Sequence, residues 1–406
     1  MENPKIRFKG FTKDWEQRKL IDYLEVSSEK NRDNRFTKED VLSVSGEYGI
    51  VNQIEFQGRS FAGASVSNYG VVENGDVVYT KSPLKSNPYG IIKTNKGIPG
   101  IVSTLYAVYK PKEITDSKFV QIYFELDSRM NSYMHPLVNK GAKNDMKVSA
   151  ENALKGMVSF PKKDEQEMIS LYFSTIDHLI TLHQRKCEQT KKLKKYMLQK
   201  MFPQNGAKVP EIRFDGFTYD WEQRKLGEIA TETYGGGTPK TSNEEFWKGD
   251  IPWIQSSDLI DECLFDVRPR KCISQEAVSK SATKLVPQNS IAIVTRVGVG
   301  KLAFMPFSYA TSQDFLSLSG LKIDPEFTVY ALYKMMQSVS NEVQGTSIKG
   351  VTKDELLAKK IIFPSCNEQK KIGAYLHSLD NLITLHQRKC DELKKMKKYM
   401  LQNMFI

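Results

Sequence analysis

Two segments of this chain occur twice, and their order divides the sequence into two equivalent halves. IRFKGFTKDWEQRKL occupies residues 6–20 and IRFDGFTYDWEQRKL residues 212–226, with 13 of 15 positions identical. LITLHQRKCEQTKKLKKYMLQKMF at residues 179–202 returns as LITLHQRKCDELKKMKKYMLQNMF at residues 382–405. Each half therefore has a nearly invariant opening segment, a divergent body and a nearly invariant closing segment, which is the pattern of an internal repeat.

The closing segments are predicted to be long helices. Apolar or small residues recur in them at spacings of three and four, and Pro161 and Pro364 mark their starts. At ~1.5 Å per residue, about 38 residues form a rod of roughly 57 Å. A rod with one apolar stripe needs a partner, so we expect the two helices to pack as an antiparallel coiled coil about a pseudo-twofold axis. The residues expected at this helix interface or at an interface with a partner are Ile176, Leu179, His183, Leu193, Met197, Leu379, Leu382, His386, Leu393 and Met400.

The bodies between these segments are predicted to be mixed α/β (α+β) domains. Strand-like runs at residues 70–79, 101–109 and 290–295 are broken by Gly, Asn and Pro turns, and residues 328–339 have a helical pattern. In the opening segments, we expect Phe8, Phe11 and Trp15, and their equivalents Phe214, Phe217 and Trp221, to pack where each body meets the helices. The predicted limits are 1–160 for the first domain, 161–202 for the first long helix, 203–211 for a linker, 212–361 for the second domain and 362–406 for the second long helix.

The charge of the chain favours a polyanionic partner. The 406 residues include 59 basic and 48 acidic side chains, a net charge of +11. Seven Lys or Arg residues and one acidic residue, Glu188, lie within residues 185–200. A solvated helix face would explain this run equally well.

Other features of the sequence predict a cytoplasmic protein. Apolar runs such as residues 291–294 fall far short of the ~20 residues that cross a bilayer. The first residues contain no apolar signal region. Five cysteines without a CxxC pair fit reduced thiols better than a disulfide framework.

Motifs with known chemistry do not yield a credible active site. SNPYG at residues 86–90 lacks one proline of the turn that holds a target adenine in amino-methyltransferases, so we interpret it as a turn. RVGVGK at residues 296–301 lacks the spacing of a P-loop, and GGG at residues 235–237 does not open a dinucleotide-binding helix.

One metal hypothesis follows from the repeated helix. His183 and Cys187 lie four residues apart, His386 and Cys390 repeat this spacing, and antiparallel helices would bring two His and two Cys together, a set that suits zinc. The alternative, which we favour, is that they are small or polar seam residues that fix the helix register. We therefore expect no metal.

The residues carry a family resemblance that covers essentially the whole chain. VPEIRFDGFTYDWEQRKLGEIA, followed by GGGTPKTSNEEFWKGDIPWIQSSDL at residues 235–259, resembles the specificity subunit of type I restriction-modification systems, and the duplicated LITLHQRK strengthens the resemblance. The first body lacks the GTP…W…IPW phrase, although GDVVYTKSP at residues 75–83 is similar to NSIAIVTRV at residues 289–297.

This resemblance implies a non-catalytic reader of double-stranded DNA. Each body would recognise one half of a bipartite site, and the helices would set the spacing and dock the modification (methyltransferase) subunits. Restriction (nuclease/translocase) subunits would cut unmodified DNA. The chain would bind no cofactor itself, because S-adenosylmethionine, ATP and Mg²⁺ would be used by the partner subunits for adenine N6 methylation, translocation and cleavage. Two bodies on a rod can reach successive major grooves, ~34 Å apart.

Candidate DNA contacts lie in polar and basic segments of both bodies. Arg and Gln can read base edges, whereas Lys more often meets phosphate. Ordinary surface solvation would explain any single one of these residues equally well. The candidates are Lys81, Lys85, Asn87, Tyr89 and Lys93 in the first body, and Thr238, Lys240, Thr241, Ser256, Ser257, Arg296, Lys301, Ser312 and Gln313 in the second.

Two other classes of protein stay open on the sequence. One is a stand-alone DNA methyltransferase or nuclease with an unrecognised active site, which would act on DNA without partners. The other is a coiled-coil adaptor that does not bind DNA, and the basic surplus counts against it.

Overall fold

The computed structural model describes residues 3–81, 87–138, 148–204, 206–344 and 350–406, with side chains described up to residue 341 in the fourth range. The chain forms two compact units. Unit 1 comprises residues 1–183 and 389–406, and unit 2 comprises residues 184–388. Within the described part of the chain, no helix combines the length and the apolar character needed to cross a membrane.

Unit 1 is built around a four-stranded antiparallel sheet with strand order β2-β9-β6-β7. Smaller antiparallel pairs are β1-β10, β3-β4 and β5-β8. The elements that begin in this unit are β1 Glu16–Lys19, β2 Leu24–Val26, β3 Leu42–Ser45, β4 Gly49–Asn52, α1 Gln53–Gln57, β5 Gly70–Val72, β6 Val77–Thr80, β7 Ile92–Thr94, β8 Gly100–Val102, β9 Tyr106–Pro111, α2 Ser117–Tyr123, α3 Asp127–Met134, α4 Ala150–Ala153, β10 Met157–Phe160 and the long helix α5 Lys163–Lys200.

Unit 2 has an equivalent four-stranded antiparallel sheet with strand order β12-β18-β15-β16. A second sheet, β14-β13-β17, contains the parallel pair β13-β17, and β11 pairs with β19. The elements that begin in this unit are β11 Glu222–Lys225, β12 Ala230–Gly235, β13 Ile251–Ile254, β14 Lys271–Ile273, α6 Gln275–Lys280, β15 Ser290–Val294, β16 Leu302–Met305, β17 Ala310–Thr311, β18 Phe315–Leu321, α7 Pro325–Gln344, α8 Lys353–Ala358, β19 Lys360–Phe363 and the long helix α9 Cys366–Asn403.

The predicted mixed α/β architecture is confirmed, and the predicted runs resolve into shorter strands. The run at residues 70–79 is divided into β5 and β6 by a turn in which Gly75 has φ 90°. The run at residues 101–109 likewise becomes β8 and β9, whereas residues 290–294 form the single strand β15 and residues 328–339 lie inside α7. Glycine is needed at the first turn because side chains disfavour that backbone conformation.

The opening segments share several contacts in both units. Arg7 donates to both oxygens of Glu165 at 2.7 and 2.8 Å, and Arg213 donates to both oxygens of Glu368 at the same distances. The strand pairs β1-β10 and β11-β19 are both antiparallel and begin with a glutamate opposite a phenylalanine. Each opening segment also donates one backbone N–H to the end of a long helix: Ile6 N to Asn403 O in unit 1, and Ile212 N to Lys200 O in unit 2.

The tryptophans of the opening segments are the buried anchors. Trp15 is 5% exposed and Trp221 4% exposed, and each meets the ring of a phenylalanine from the end of a long helix. Phe8 and Phe214 contact tyrosines of the long helices edge-on. Phe11 and Phe217 stay half-buried. The opening segment is therefore a clamp that fixes each body to the helices.

The long helices pack antiparallel within each unit, as predicted. In unit 1, Ile176 and Ile180 share a cluster with Cys390 and Leu393, and Phe173 approaches the ring of Phe405 at 6.0 Å. Residue numbers therefore fall along one helix as they rise along the other. In unit 2, Cys187 Sγ lies 3.9 Å from Ile383 O, and Lys194 Nζ lies 2.5 Å from Asp380 Oδ1. Both helices span 38 residues, the predicted length.

Two of the predicted interface residues lie outside the helix seam. Leu193 is 40% exposed and Leu382 44% exposed, while the next residue in each helix, Lys194 or Ile383, turns inward. A coiled-coil seam needs an average spacing of 3.5 residues, and strict alternation of three and four leads to residues 180, 187 and 194. An interface with a partner stays a prediction for Leu193 and Leu382. Of the other predicted seam residues, three are buried and five are half-buried: Ile176, Leu379 and Leu393 in the first group, and Leu179, His183, Met197, His386 and Met400 in the second.

The two bodies differ outside the shared frame, by which we mean the opening segments, the strand pairs β1-β10 and β11-β19, the four-stranded sheets and the long helices. Unit 1 adds the β3-β4 hairpin, α1 and the β5-β8 pair, whose cores contain Phe36, Val41 and Val78. Unit 2 adds the sheet β14-β13-β17 and α6, whose core contains Phe246 and Trp253. The elements with no equivalent therefore distinguish the two bodies from each other.

Candidate nucleic-acid interface

Four loops of unit 2 meet on one surface, which we call the loop surface. Thr238 Oγ1 donates to Gln313 Oε1 at 2.5 Å, which joins the first loop to the last. A Cβ placed on Gly298 would lie 3.8 Å from Ser256 Cβ, so the second and third loops also touch. The loops cover residues 235–241, 255–258, 295–301 and 311–314.

The GGG motif of the first loop has a packing role. A Cβ on Gly236 would lie 1.8 Å from Ser312 O, and a Cβ on Gly237 would lie 2.6 Å from the backbone of Ala282, whereas nothing lies within 4 Å of a Cβ on Gly235. Trp253 Nε1 donates to Gly237 O at 3.1 Å. Two of the three glycines are therefore required by close backbone approach.

The structure brings the nine second-body candidates together on or beside the loop surface. Lys301 Nζ is held by Leu259 O at 3.1 Å and lies 3.7 Å from the carboxylate of Asp261. Ser312 is 5% exposed, and its backbone N–H donates to Ile254 O, so it supports the surface rather than facing solvent. Ser256 is half-buried, and the exposed candidates are Thr238, Lys240, Thr241, Ser257, Arg296 and Gln313. Contact with DNA stays a prediction for them.

The first-body candidates are placed less favourably. Asn87 is 5% exposed and donates to Asp127 Oδ1 at 2.7 Å, and Lys93 is 9% exposed on strand β7. Burial lowers the pKa of Lys93. It also lowers the pKa of Lys81, although Lys81 is less completely buried. The ring of Tyr89 is half-buried against the core of unit 1. The burial of Asn87 and Lys93 does not fit direct contact with DNA, and Lys85 lies outside the described residues.

Sequence reasoning missed an aromatic surface in unit 1. The rings of Tyr48 and Phe56 are 62% and 45% exposed and lie 5.3 Å apart. Phe61 is 56% exposed, and the guanidinium of Arg59 lies 4.5 Å from its ring centroid. Large exposed aromatic groups beside arginine suit the sugar and base faces of a nucleic acid. The signal was present in SGEYG and GRSFAG, where bulky rings interrupt small and polar residues.

A second missed group lies beside the loop surface in unit 2. Lys271 Nζ lies 5.3 Å from the ring centroid of Trp247 and 5.8 Å from that of Trp253. The two indoles meet edge-on at 5.0 Å. An open groove at this point has a basic and aromatic lining of Thr241, Trp247, Arg270, Lys271 and Cys272.

The described residues contain no group of three or more His, Cys, Asp or Glu side chains that could hold a metal ion. Cys187 Sγ instead lies within reach of protein oxygens, Ile383 O at 3.9 Å and Gln387 Oε1 at 3.7 Å. The cysteines of the long helices, Cys187 and Cys390, are buried in the helix pairing of their respective units. These contacts fit the seam interpretation of the repeated His and Cys residues.

Comparison with known proteins finds a similar domain family for the second half of the chain. The family model described as "Type I restriction modification DNA specificity domain" matches residues 219–395, which include most of the second body and of α9. This match covers less than half of the chain and shows that its second half is similar to that domain.

Named relatives extend the similarity to the rest of the chain. The type I restriction enzyme MjaIX specificity subunit of Methanocaldococcus jannaschii is 31% identical over 196 residues, 46% of this chain and 44% of the relative. The EcoR124I/EcoR124II specificity subunit of Escherichia coli is 34% identical over 172 residues, 40% and 41% of the two chains. These matches span less than half of both relatives. The putative MjaX specificity subunit of M. jannaschii is 23% identical over 96% of this chain and 92% of its own length.

Solved structures share the fold over the full length of the chain. The S subunit of a type I restriction-modification system from M. genitalium has a TM-score of 0.62 at 13% identity, covering 100% of this chain and 99% of that one. The HsdS subunit from Thermoanaerobacter tengcongensis has a TM-score of 0.50 at 18% identity, covering 97% and 96%. At these identities the likeness concerns the fold alone.

Proposed function

We propose that this chain is the DNA sequence-specificity subunit of a type I restriction-modification complex, in which each body reads one half of a bipartite site. The chain itself would carry no catalytic group. It would act in the cytoplasm, where its DNA lies, and would position the subunits that modify and cut that DNA.

The observation that carries this proposal is the contrast between the shared frame and the different bodies. The Arg7–Glu165 and Arg213–Glu368 pairs have matching geometry, and the opening strands pair in the same way. Contacts kept identical in both halves suit identical tasks, such as docking two copies of one partner. The added elements of each unit differ in sheet topology, which suits two different half-sites.

The loop surface offers the chemistry of DNA reading. Arginine and glutamine side chains can make paired hydrogen bonds to base edges, while lysine and hydroxyl groups position the backbone phosphates. Arg296 and Gln313 supply the first kind of group, and Lys240 and Thr241 the second, all exposed on the loop surface. The net charge of +11 would draw the chain to the polyanion.

The partners proposed are the modification subunits, which would transfer a methyl group from S-adenosylmethionine to adenine N6, and the restriction subunits, which would use ATP and Mg²⁺. Exposed apolar side chains recur at equivalent positions of the long helices, including Tyr196 and Tyr399 at 47% and 57% exposure. Their repetition suits docking of the same partner surface twice.

Methylation mapping tests the proposal. Cells that carry this chain with its modification subunits should contain methylated adenines in one bipartite, asymmetric sequence, and cells that lack only this chain should not. The purified chain incubated alone with DNA and S-adenosylmethionine should transfer no methyl group. Methyl transfer by the chain alone would make it a methyltransferase. If the assembled complex bound no DNA at any salt concentration, only an adaptor role would remain.

A further inference from the structure

The exposed side chain of Arg270 forms an ion pair with a buried carboxylate. The side chain of Asp258 is fully buried, at 0% exposure, whereas that of Arg270 is 67% exposed. Asp258 Oδ2 accepts a hydrogen bond from Gln255 N at 3.0 Å. Oδ1 is buried, has no hydrogen-bond partner among the described residues, and lies at an ion-pair distance of 3.4 Å from Arg270 Nε. The pair thus combines a fixed, buried anchor with a solvent-facing guanidinium.

This asymmetry differs from an ordinary surface ion pair. A buried carboxylate is costly unless a cation and hydrogen bonds compensate it, so Asp258 favours the arginine conformation in which Nε faces the carboxylate. Because the side chain of Arg270 is 67% exposed, its two terminal NH₂ groups remain available to a ligand as a fork. A fork that is already oriented loses less conformational entropy when it binds a pair of acceptors.

The surroundings of Arg270 fit the edge of a DNA duplex. Asp258 closes the short turn Ser256–Asp258, which belongs to the loop surface. The next residue, Lys271, lies over the rings of Trp247 and Trp253 and lines the same groove as Arg270. One preoriented fork and one point charge therefore stand side by side.

We infer that Arg270 reads a guanine in the half-site recognised by unit 2, that Asp258 is its positioning residue, and that Lys271 contacts a neighbouring phosphate. The inference rests on the proposed function, since it assigns residues within a DNA-reading surface. Guanine presents two acceptors, O6 and N7, in the major groove, and the arginine fork matches them. Lysine lacks this planar geometry and meets phosphate as a point charge.

The test compares methylation maps of complexes assembled with variant full-length chains. Arg270→Ala and Arg270→Lys remove the exposed guanidinium of Arg270. Asp258→Asn removes only the negative charge of the buried carboxylate. Arg268→Ala is the matched control, because Arg268 is 79% exposed two residues away and pairs only with Asp266 on the surface. Thermal melting of each chain reports whether it folds. If Asp258→Asn does not fold, Arg270→Lys still tests whether the planar guanidinium is needed.

Arg270→Ala should lower the preference for guanine at one position of one half-site by about tenfold to a hundredfold and leave the other half-site unchanged. Arg270→Lys should not restore the preference, and Asp258→Asn should relax the same position. Arg268→Ala should give the wild-type map, whereas Lys271→Ala should reduce methylation evenly at all sites.

Three results would overturn the inference. The first is an unchanged map for Arg270→Ala. The second is an even loss across all sites with every base preference intact, which would assign Arg270 to phosphate. The third is relaxation at the same position by Arg268→Ala. A wild-type complex that gives no bipartite site would instead defeat the proposed function, so the two failures are distinguishable.

Discussion

Lys194 Nζ lies 2.5 Å from Asp380 Oδ1 in the helix pair of unit 2, and this ion pair has an equivalent in unit 1. There Lys397 Nζ lies 2.7 Å from Asp177 Oδ1, with both residues displaced by the 203 residues of the repeat. Lys194 is 6% exposed and the side chain of Lys397 15% exposed, so each unit places a largely buried lysine in its seam. A buried charge that needs one particular partner specifies helix register in a way that an apolar side chain does not.

Replacing Lys194 by methionine should destabilise the chain by about 3 kcal/mol, because the carboxylate of Asp380 would lose its cation in a mostly buried position. Tyr330 would remain as a donor to that carboxylate, at 2.5 Å. Denaturant unfolding of the purified chain measures the change. The adjacent, exposed Leu193 provides the control, and Leu193→Ala should change stability by no more than about 0.5 kcal/mol. Equal effects of the two substitutions would show that Lys194 is not a seam residue.

Arg7→Met and Arg213→Met should destabilise the chain to a similar extent, about 3 kcal/mol each, because each leaves a buried glutamate unpaired. The side chains of Glu165 and Glu368 are only 3% and 1% exposed. Thermal and denaturant unfolding are the measurements. Arg18→Ala is the control, since Arg18 and its partner Glu16 are both about half exposed. A loss confined to one of the two arginines would contradict the equivalence of the opening segments.

Tyr309 should make stability fall at alkaline pH. Burial raises the pKa of Tyr309 to about 12, from an ordinary value of 10.0. The folded state therefore favours the protonated phenol, and this contribution is complete below pH 10 and lost as the pH rises towards 12. The total contribution is about 2 to 3 kcal/mol.

Unfolding free energies measured from neutral to alkaline pH test this expectation. Tyr309→Phe should flatten the alkaline slope and also cost about 1 to 2 kcal/mol at neutral pH, because the hydroxyl bonds with Ser290 and Ser317 would be lost. Tyr219→Phe is the control, as its ring is 86% exposed. If Tyr309→Phe and Tyr219→Phe gave the same alkaline slope, the assignment to Tyr309 would fail.

Gly236→Ala should weaken DNA binding by the assembled complex about tenfold or more, which is about 1.4 kcal/mol. The added Cβ would meet Ser312 O and force the first and last loops of the loop surface apart. Gly235→Ala is the matched control, because nothing lies within 4 Å of its Cβ. Gel shifts on DNA carrying the mapped site measure both variants, and comparable binding by both would remove the loop surface from DNA recognition.

The shared frame could be predicted from the repeat, because two nearly identical segments are expected to make equivalent contacts in the two halves. The helices follow from periodicity, their starts from Pro161 and Pro364, and their antiparallel pairing from the duplication of one helix in the chain. The details of the seam do not, since Leu193 and Lys194 differ by about 100° around the helix and only packing decides which one turns inward. Several second-body candidates could be found because they lie in the segment GGGTPKTS, whose glycine, threonine and serine content indicates a loop.

The remaining errors share one physical cause, which is that sequence does not show which distant groups meet. Lys93 resembles an exposed cation until strand β7 places it against the core. Arg270 resembles an ordinary surface residue until the fold brings it beside Asp258, twelve positions earlier. No location was predicted for Tyr48 and Phe61, because the residue type alone does not show whether an aromatic ring is exposed or buried in the core.

Exchanging the two bodies within one chain tests the central claim most directly. A variant in which residues 21–158 and 227–361 trade places keeps every opening and closing segment, and its methylation map can be compared with that of the wild-type complex. The account predicts that the two half-sites exchange their order while the spacer keeps its length. A folded, assembled variant that still methylates the original sequence would contradict the assignment of specificity to the bodies.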